Sequence, residues 1–229
     1  MKRQIFIAAS ISLFTTATPV LAEDGDSILN SKCSGCHALT KPDDLSLDRL
    51  WERKGPDLFY AGDKFNKPWL VQWLQAPVPI RPAGEFYRKY VKPGEKSDII
   101  DSSKLKPHPK LSQSEAEVVA DTLMTLTDSS NLIEKGKFKG EKVSASMGRM
   151  FFTKLRGCAA CHSDSPGKGG LSAPELYTAG SRLQPDYIYS YTKHPQKIDP
   201  AVWMPRLELS EQDLQRLTGY IVQLDAGRD

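Results

Sequence analysis

All four cysteines of the chain fall into two copies of one pattern, Cys33-Ser34-Gly35-Cys36-His37 and Cys158-Ala159-Ala160-Cys161-His162. The chemistry that needs this spacing is covalent attachment of haem c. Two thiols three residues apart on a helical turn reach the two vinyl groups of one porphyrin. The next residue, His37 or His162, then sits under the iron as its proximal ligand. Disulfides, zinc sites and redox dithiols also use CxxC, and an exported chain forms disulfides readily. Two copies, each followed by His and with no cysteine left over, select haem instead. A zinc site would need the four thiols to converge, and the copies lie in separate repeats. The cofactor expectation is therefore two haem c groups.

The elements that must position these sites repeat as well. At an offset of 118, Gly55-Pro56-Asp57-Leu58-Phe59-Tyr60-Ala61-Gly62 falls on Ala173-Pro174-Glu175-Leu176-Tyr177-Thr178-Ala179-Gly180. Trp69 and Trp73 fall on Tyr187 and Tyr191, aromatic pairs at i and i+4 on one helix face. Pro77 and Pro195 close that helix in both copies. At an offset of 96, His108-Pro109-Lys110-Leu111 falls on Met204-Pro205-Arg206-Leu207, and Ser114-Glu115 on Ser210-Glu211, which reads as a helix N-terminus. An amphipathic helix follows in each copy. The change of offset means that the first copy carries 22 extra residues between Pro77 and His108.

In this order the motifs resemble a class I cytochrome c, and the chain resembles two such domains in tandem, as in two-haem cytochromes c of bacterial periplasms. The resemblance implies an all-α fold, each domain a small helical bundle around one covalently bound haem, held by Cys33 and Cys36 or by Cys158 and Cys161. It implies Met204 as the distal ligand of the second haem, opposite His162. Met147 and Met150, on the helix before that site, read as core methionines, and His194 aligns with Ala76, outside the ligand slot. The first domain departs from the pattern: no methionine lies between Cys33 and Met124, and His108 fills the Met204 slot between two stiffening prolines. His37/His108 ligation is the expectation there, with an open site or Lys106 or Lys110 as alternatives. Pro56 and Pro174 match the family's proline whose carbonyl accepts a hydrogen bond from the proximal imidazole.

The expected layout is a signal peptide over 1–22, a first domain over 23–127 with an insertion at about 78–107, a linker over 128–143 and a second domain over 144–229. Lys2-Arg3, an apolar run from Ile5 to Phe14 and Val20-Leu21-Ala22 supply the leader pattern, with cleavage after Ala22 and a periplasmic location. No later run is long and apolar enough to span a bilayer. Residues 23–135 carry 16 basic and 18 acidic side chains and residues 136–229 carry 13 and 10, with no basic run that suits nucleic acid. The insertion reads as a partner-docking flap, a lid over the first haem, or a plain surface loop. Lys154, Arg156, Lys193, Lys197 and Arg206 read as a docking face for an acidic partner or as a solvated one. The expected function is electron transfer, with no catalysis of its own, between protein donors and acceptors, as a carrier or complex subunit. Methionine ligation should make the second haem the higher in potential. The alternative is a haem enzyme, peroxidase-like or acting on sulfur compounds, with a displaceable ligand at the first haem.

Overall fold

Asp24 starts the first helix because its carboxylate accepts the Ser27 N–H at 2.7 Å. The helix α1 (Gly25–Ile28) runs on as a wider π-turn, Leu29–Cys33, straight into the first CxxCH. This is a computed structural model, and it describes residues 24–84, 86–95 and 97–224; the expected leader lies outside the described residues. Next come α2 (Leu47–Glu52), α3 (Ala61–Lys64) and α4 (Lys67–Gln75), the last ending two residues before Pro77. The 78–107 segment holds α5 (Tyr87–Tyr90) and an antiparallel pair, β1 (Val91–Lys92) and β2 (Ile99–Ile100). Then α6 (Gln113–Thr125) closes the half. Its cap is Ser112, not the Ser114 that the repeat suggested. Both serines stand three residues before a glutamate, and the capping box forms between Ser112 and Glu115. Ile28, Leu29, Leu70, Leu74, Val119 and Leu123 pack α1, α4 and α6 into one core.

The second half repeats the first helix with its π-turn, the short helix, the aromatic helix and the closing helix, but has a hairpin where the first has α2. It has α7 (Ala145–Met150) with a π-turn continuation Phe151–Leu155, a short hairpin of β3 (Ser163–Ser165) and β4 (Lys168–Gly169), then α8 (Ala179–Arg182), α9 (Pro185–Lys193), α10 (Pro195–Ile198) and α11 (Glu211–Gln223). The first and last helices cross at Gly148, where an added Cβ would stand 2.2 Å from the Tyr220 ring. Phe152, one turn on, is buried against the same ring. Met147 and Met150 are not core residues: the face that turns inward is Gly148 and Phe152, and both methionines are about half exposed.

The two halves dock reciprocally. Phe65 and Leu183 form an antiparallel bridge. The Asn66 N–H donates to the Arg182 carbonyl at 3.0 Å, and the Gln184 N–H to the Lys64 carbonyl at 2.9 Å. The Asn66 side chain donates to the Ser181 and Leu183 carbonyls, and Gln184 to those of Gly62 and Phe65. Positions 66 and 184 differ by the repeat offset, so the contact has the self-complementary character of a two-fold interface. The 128–143 segment is not a free tether. Leu132 and Ile133 are buried beside Tyr60 and Tyr187, and the N–H groups of Gly136, Lys137 and Phe138 donate to the Asp186 carboxylate.

Candidate functional site

Tight turns deliver both histidines. The His37 N–H donates to the Cys33 carbonyl and the His162 N–H to that of Cys158, each at 3.0 Å, so thiols and imidazole share one compact loop. In the first half the Pro56 carbonyl lies 2.7 Å from His37 Nδ1, and the second half repeats the contact between Pro174 and His162 at 2.7 Å. An Nδ1–H donor fixes the tautomer and leaves the Nε2 lone pair free for a metal. Gly55 is required by this packing: a Cβ there would stand 2.6 Å from His37 Cε1. Burial is the main force holding both imidazoles below the ordinary histidine range. The lone pair that a metal needs therefore stays available.

His108 faces His37. Its Nδ1 is engaged with the Pro109 carbonyl at 2.9 Å, again freeing Nε2. Trp73 on α4 backs the ring at 4.7 Å between centroids, and the Leu111 N–H pins the strap to the Leu74 carbonyl at 3.0 Å. The two imidazole centroids are 6.2 Å apart with planes at 51°. A metal–imidazole bond of about 2 Å on each side, plus roughly 1.1 Å from nitrogen to ring centre, separates two trans ligands by about 6.3 Å. The observed spacing fits an iron between the rings.

At the second site Met204 is half-buried on an irregular strap, and its backbone carbonyl accepts from Gln196 Nε2 at 2.6 Å. His194 serves as the junction between α9 and α10. Four of the five basic side chains expected to form a docking face have partners within this half or the 128–143 segment. Arg156 pairs with Asp213 at 2.6 Å, Lys193 with Glu134 at 3.0 Å and Arg206 with Glu208 at 3.9 Å, while Lys197 donates to the Asn131 carbonyl. That favours the solvated face over a docking face.

Sequence reasoning missed the cations between the halves. Lys64 and Arg182 are related by the repeat offset. The Lys64 ammonium stands over the rings of Phe65, Tyr187 and Tyr60 at 4.9, 5.4 and 5.7 Å, and burial pushes it down to about 8. Arg182 is buried and donates to the Glu175 carbonyl. The signal was present: position for position, the repeat keeps a cation.

Both halves thus hold a CxxCH turn whose histidine is oriented by a proline carbonyl, and in the first half a second imidazole stands opposite it. The comparisons bear on the second half. Residues 144–221 match the family described as cytochrome c oxidase, cbb3-type, subunit III. The chain is also 31% identical over 81 residues to cytochrome c oxidase subunit 2 of Bacillus sp. (strain PS3), covering 32% of this chain. The match spans about a fifth, 22%, of that relative's length. No solved structure matches the chain. The cytochrome c match implies covalently bound haem c, and no helix among the described residues is long and apolar enough to cross a membrane.

Proposed function

We propose that the chain carries two haem c groups, one in each half, and moves electrons between protein partners in the periplasm. Cys33 and Cys36 would attach the first and Cys158 and Cys161 the second. The axial pairs would be His37/His108 and His162/Met204. The single observation that carries this reading is the 6.2 Å separation of the His37 and His108 rings, each with Nδ1 already engaged. Haem supplies a one-electron ferric/ferrous couple, and the protein tunes it through the axial ligands and their hydrogen bonds. The Pro56 and Pro174 carbonyls orient the proximal rings, and Trp73 backs His108. The matched family and the relative are both named as cytochrome c oxidase subunits, which supports a place beside a larger redox complex, as a free carrier or as one of its subunits.

Imidazole–thioether ligation favours a higher potential than a histidine pair, so electrons would enter at the first haem and leave from the second. Potentiometry of the holoprotein with resolved haem signals should find the second haem the higher. His108→Met should raise the first haem's potential and leave the second in place. A first haem above the second would reverse the direction. Carbon monoxide added to the reduced protein should bind slowly at both irons. Rapid binding at the first would place a displaceable ligand there and make catalysis the leading account.

A further inference from the structure

Between Ile198 and Ser210 the chain has no regular secondary structure, so the strap bearing Met204 is held by side chains rather than by a backbone ladder. Its own half supplies one hold, Gln196 Nε2 on the Met204 carbonyl at 2.6 Å. Other holds come from the opposite half. Arg53, at the C-terminus of α2, reaches the Asp199 carboxylate at 3.2 Å where the strap begins. Both side chains are largely buried, 9% and 20% exposed, which keeps the pair from being washed out by solvent. Trp51, two residues earlier on α2, meets the Trp203 indole edge-on at 6.2 Å between centroids. Trp203 immediately precedes Met204.

The extra segment of the first half backs this contact. Phe86 stacks flat on Trp51 at 4.4 Å and 17°. The Lys89 ammonium covers Phe86 and Trp51 at 4.5 and 5.4 Å. Lower in the same segment, the Ile80 carbonyl accepts the Glu175 N–H at 2.8 Å, one residue after Pro174. The segment thus reaches the second half near its proximal proline, and through Trp51 it backs the distal strap.

We infer that Trp51, Arg53 and Phe86 are positioning residues for the second site: the first half grips the strap at Asp199 and Trp203 and so holds the Met204 thioether in place. This rests on the reading of Met204 as axial ligand. It gives the insertion a task that neither a lid over the first haem nor a plain loop would have. A thioether on an unbraced strap exchanges more readily for other ligands, so the brace acts on ligand retention at the second iron.

The test uses the oxidised holoprotein and the red-edge charge-transfer band of a thioether-ligated ferric haem, titrated with alkali. The Trp51→Ala/Phe86→Ala double variant should retain the thioether about tenfold less well, lowering the pH at which the band is lost by about one unit, an ordinary size for coupling between distinct sites. Arg53→Gln should shift it in the same direction, and serves alone if the double variant does not fold. Trp51→Phe, which keeps an aromatic face, should restore most of the loss, and the first haem's spectrum should not change in the Trp51 and Phe86 variants; Arg53 also lines the cavity beside Cys36 and His37, so its variant is read at the second haem alone. Met204→Ala separates the two claims. If it leaves the band intact, the ligand assignment fails and the brace with it. If it removes the band while Trp51→Ala/Phe86→Ala and Arg53→Gln both titrate like the native protein, the brace alone is overturned.

Discussion

At the scale of single residues, certain contacts at the sites leave no room for one more carbon. Gly55 is the clearest. A Cβ at 2.6 Å from the His37 ring lies well inside contact distance, so Gly55→Ala must push the imidazole or bend the loop that carries Pro56. The second half has Ala173 at the matching position, which shows that the loop can seat a methyl group when its path is slightly different. Gly55→Ala should therefore cost about 1–3 kcal/mol of stability, the usual price of overpacking, and disturb the first haem's spectrum while the second stays native. Ala173→Gly should leave both spectra unchanged. A Gly55→Ala protein with a native first-haem spectrum would show that the His37 ring is not held against this residue. The CxxCH turns, the contacts of Pro56 and Pro174 with the histidines and the return of His108 towards His37 were legible in the sequence, because these residue types recur at fixed spacings in both copies. Trp73 was legible only as half of an aromatic pair. That it backs His108 depends on a strap returning from 35 residues away, and no local pattern encodes such a return.

At the scale of elements, helix ends do more than stop helices. The Glu115 carboxylate receives the Ser112 N–H and hydroxyl and the Lys32 ammonium, tying the start of α6 to the residue before Cys33. These bonds, with Lys32 the strongest, hold its carboxyl down at about 2 against an ordinary 4.5. A folded pKa below the unfolded one contributes stability that is complete above about pH 4.5 and is lost as pH falls towards 2. Glu115→Gln should then melt at a lower temperature than the native protein at pH 7, and the gap should close on acidification through that window. A gap that persists unchanged at pH 2 would exclude the ionised carboxylate as its source. Ser112→Ala should cost about 1 kcal/mol as a lost cap. The sequence showed that helices begin here but left two serines in competition, since Ser112 and Ser114 both precede a glutamate at the capping distance. The apolar face of α11 matched that of α6 only loosely for a reason visible in the structure. Gln215 stands where the repeat expects an apolar residue, and it is buried with its amide bonded to the Lys139 N–H and the Lys137 carbonyl. It secures the 128–143 segment, a partner that a comparison between the two copies could not supply.

At the scale of the whole molecule, the 118-residue offset revealed the repeat but could not reveal how its copies face each other. Asn66 and Gln184 read as ordinary residues at helix entries, yet each donates to carbonyls of the opposite half. Tyr60 of the first half also packs into the core of the second beside Leu132, Ile133 and Tyr187. The first half nevertheless has an apolar core of its own around α1, α4 and α6, so the halves are joined by a polar seam and by the Phe59, Tyr60 and Phe65 rings that pack against the second core, with the α2 contacts to Asp199 and Trp203 beside them. At about 1 kcal/mol net per hydrogen bond, the side-chain bonds of Asn66 and Gln184 together contribute roughly 3–5 kcal/mol, a large part of the stability of an ordinary small domain. The native holoprotein should therefore unfold in one calorimetric transition. Asn66→Ala/Gln184→Ala should split it into two, with the losses in the single variants failing to add because both residues serve one seam. Haem spectra of the double variant should stay native before the first transition, since neither side chain touches a proposed ligand. A single transition at an unchanged temperature would mean that Tyr60 and the 128–143 segment, not the reciprocal amides, hold the halves together.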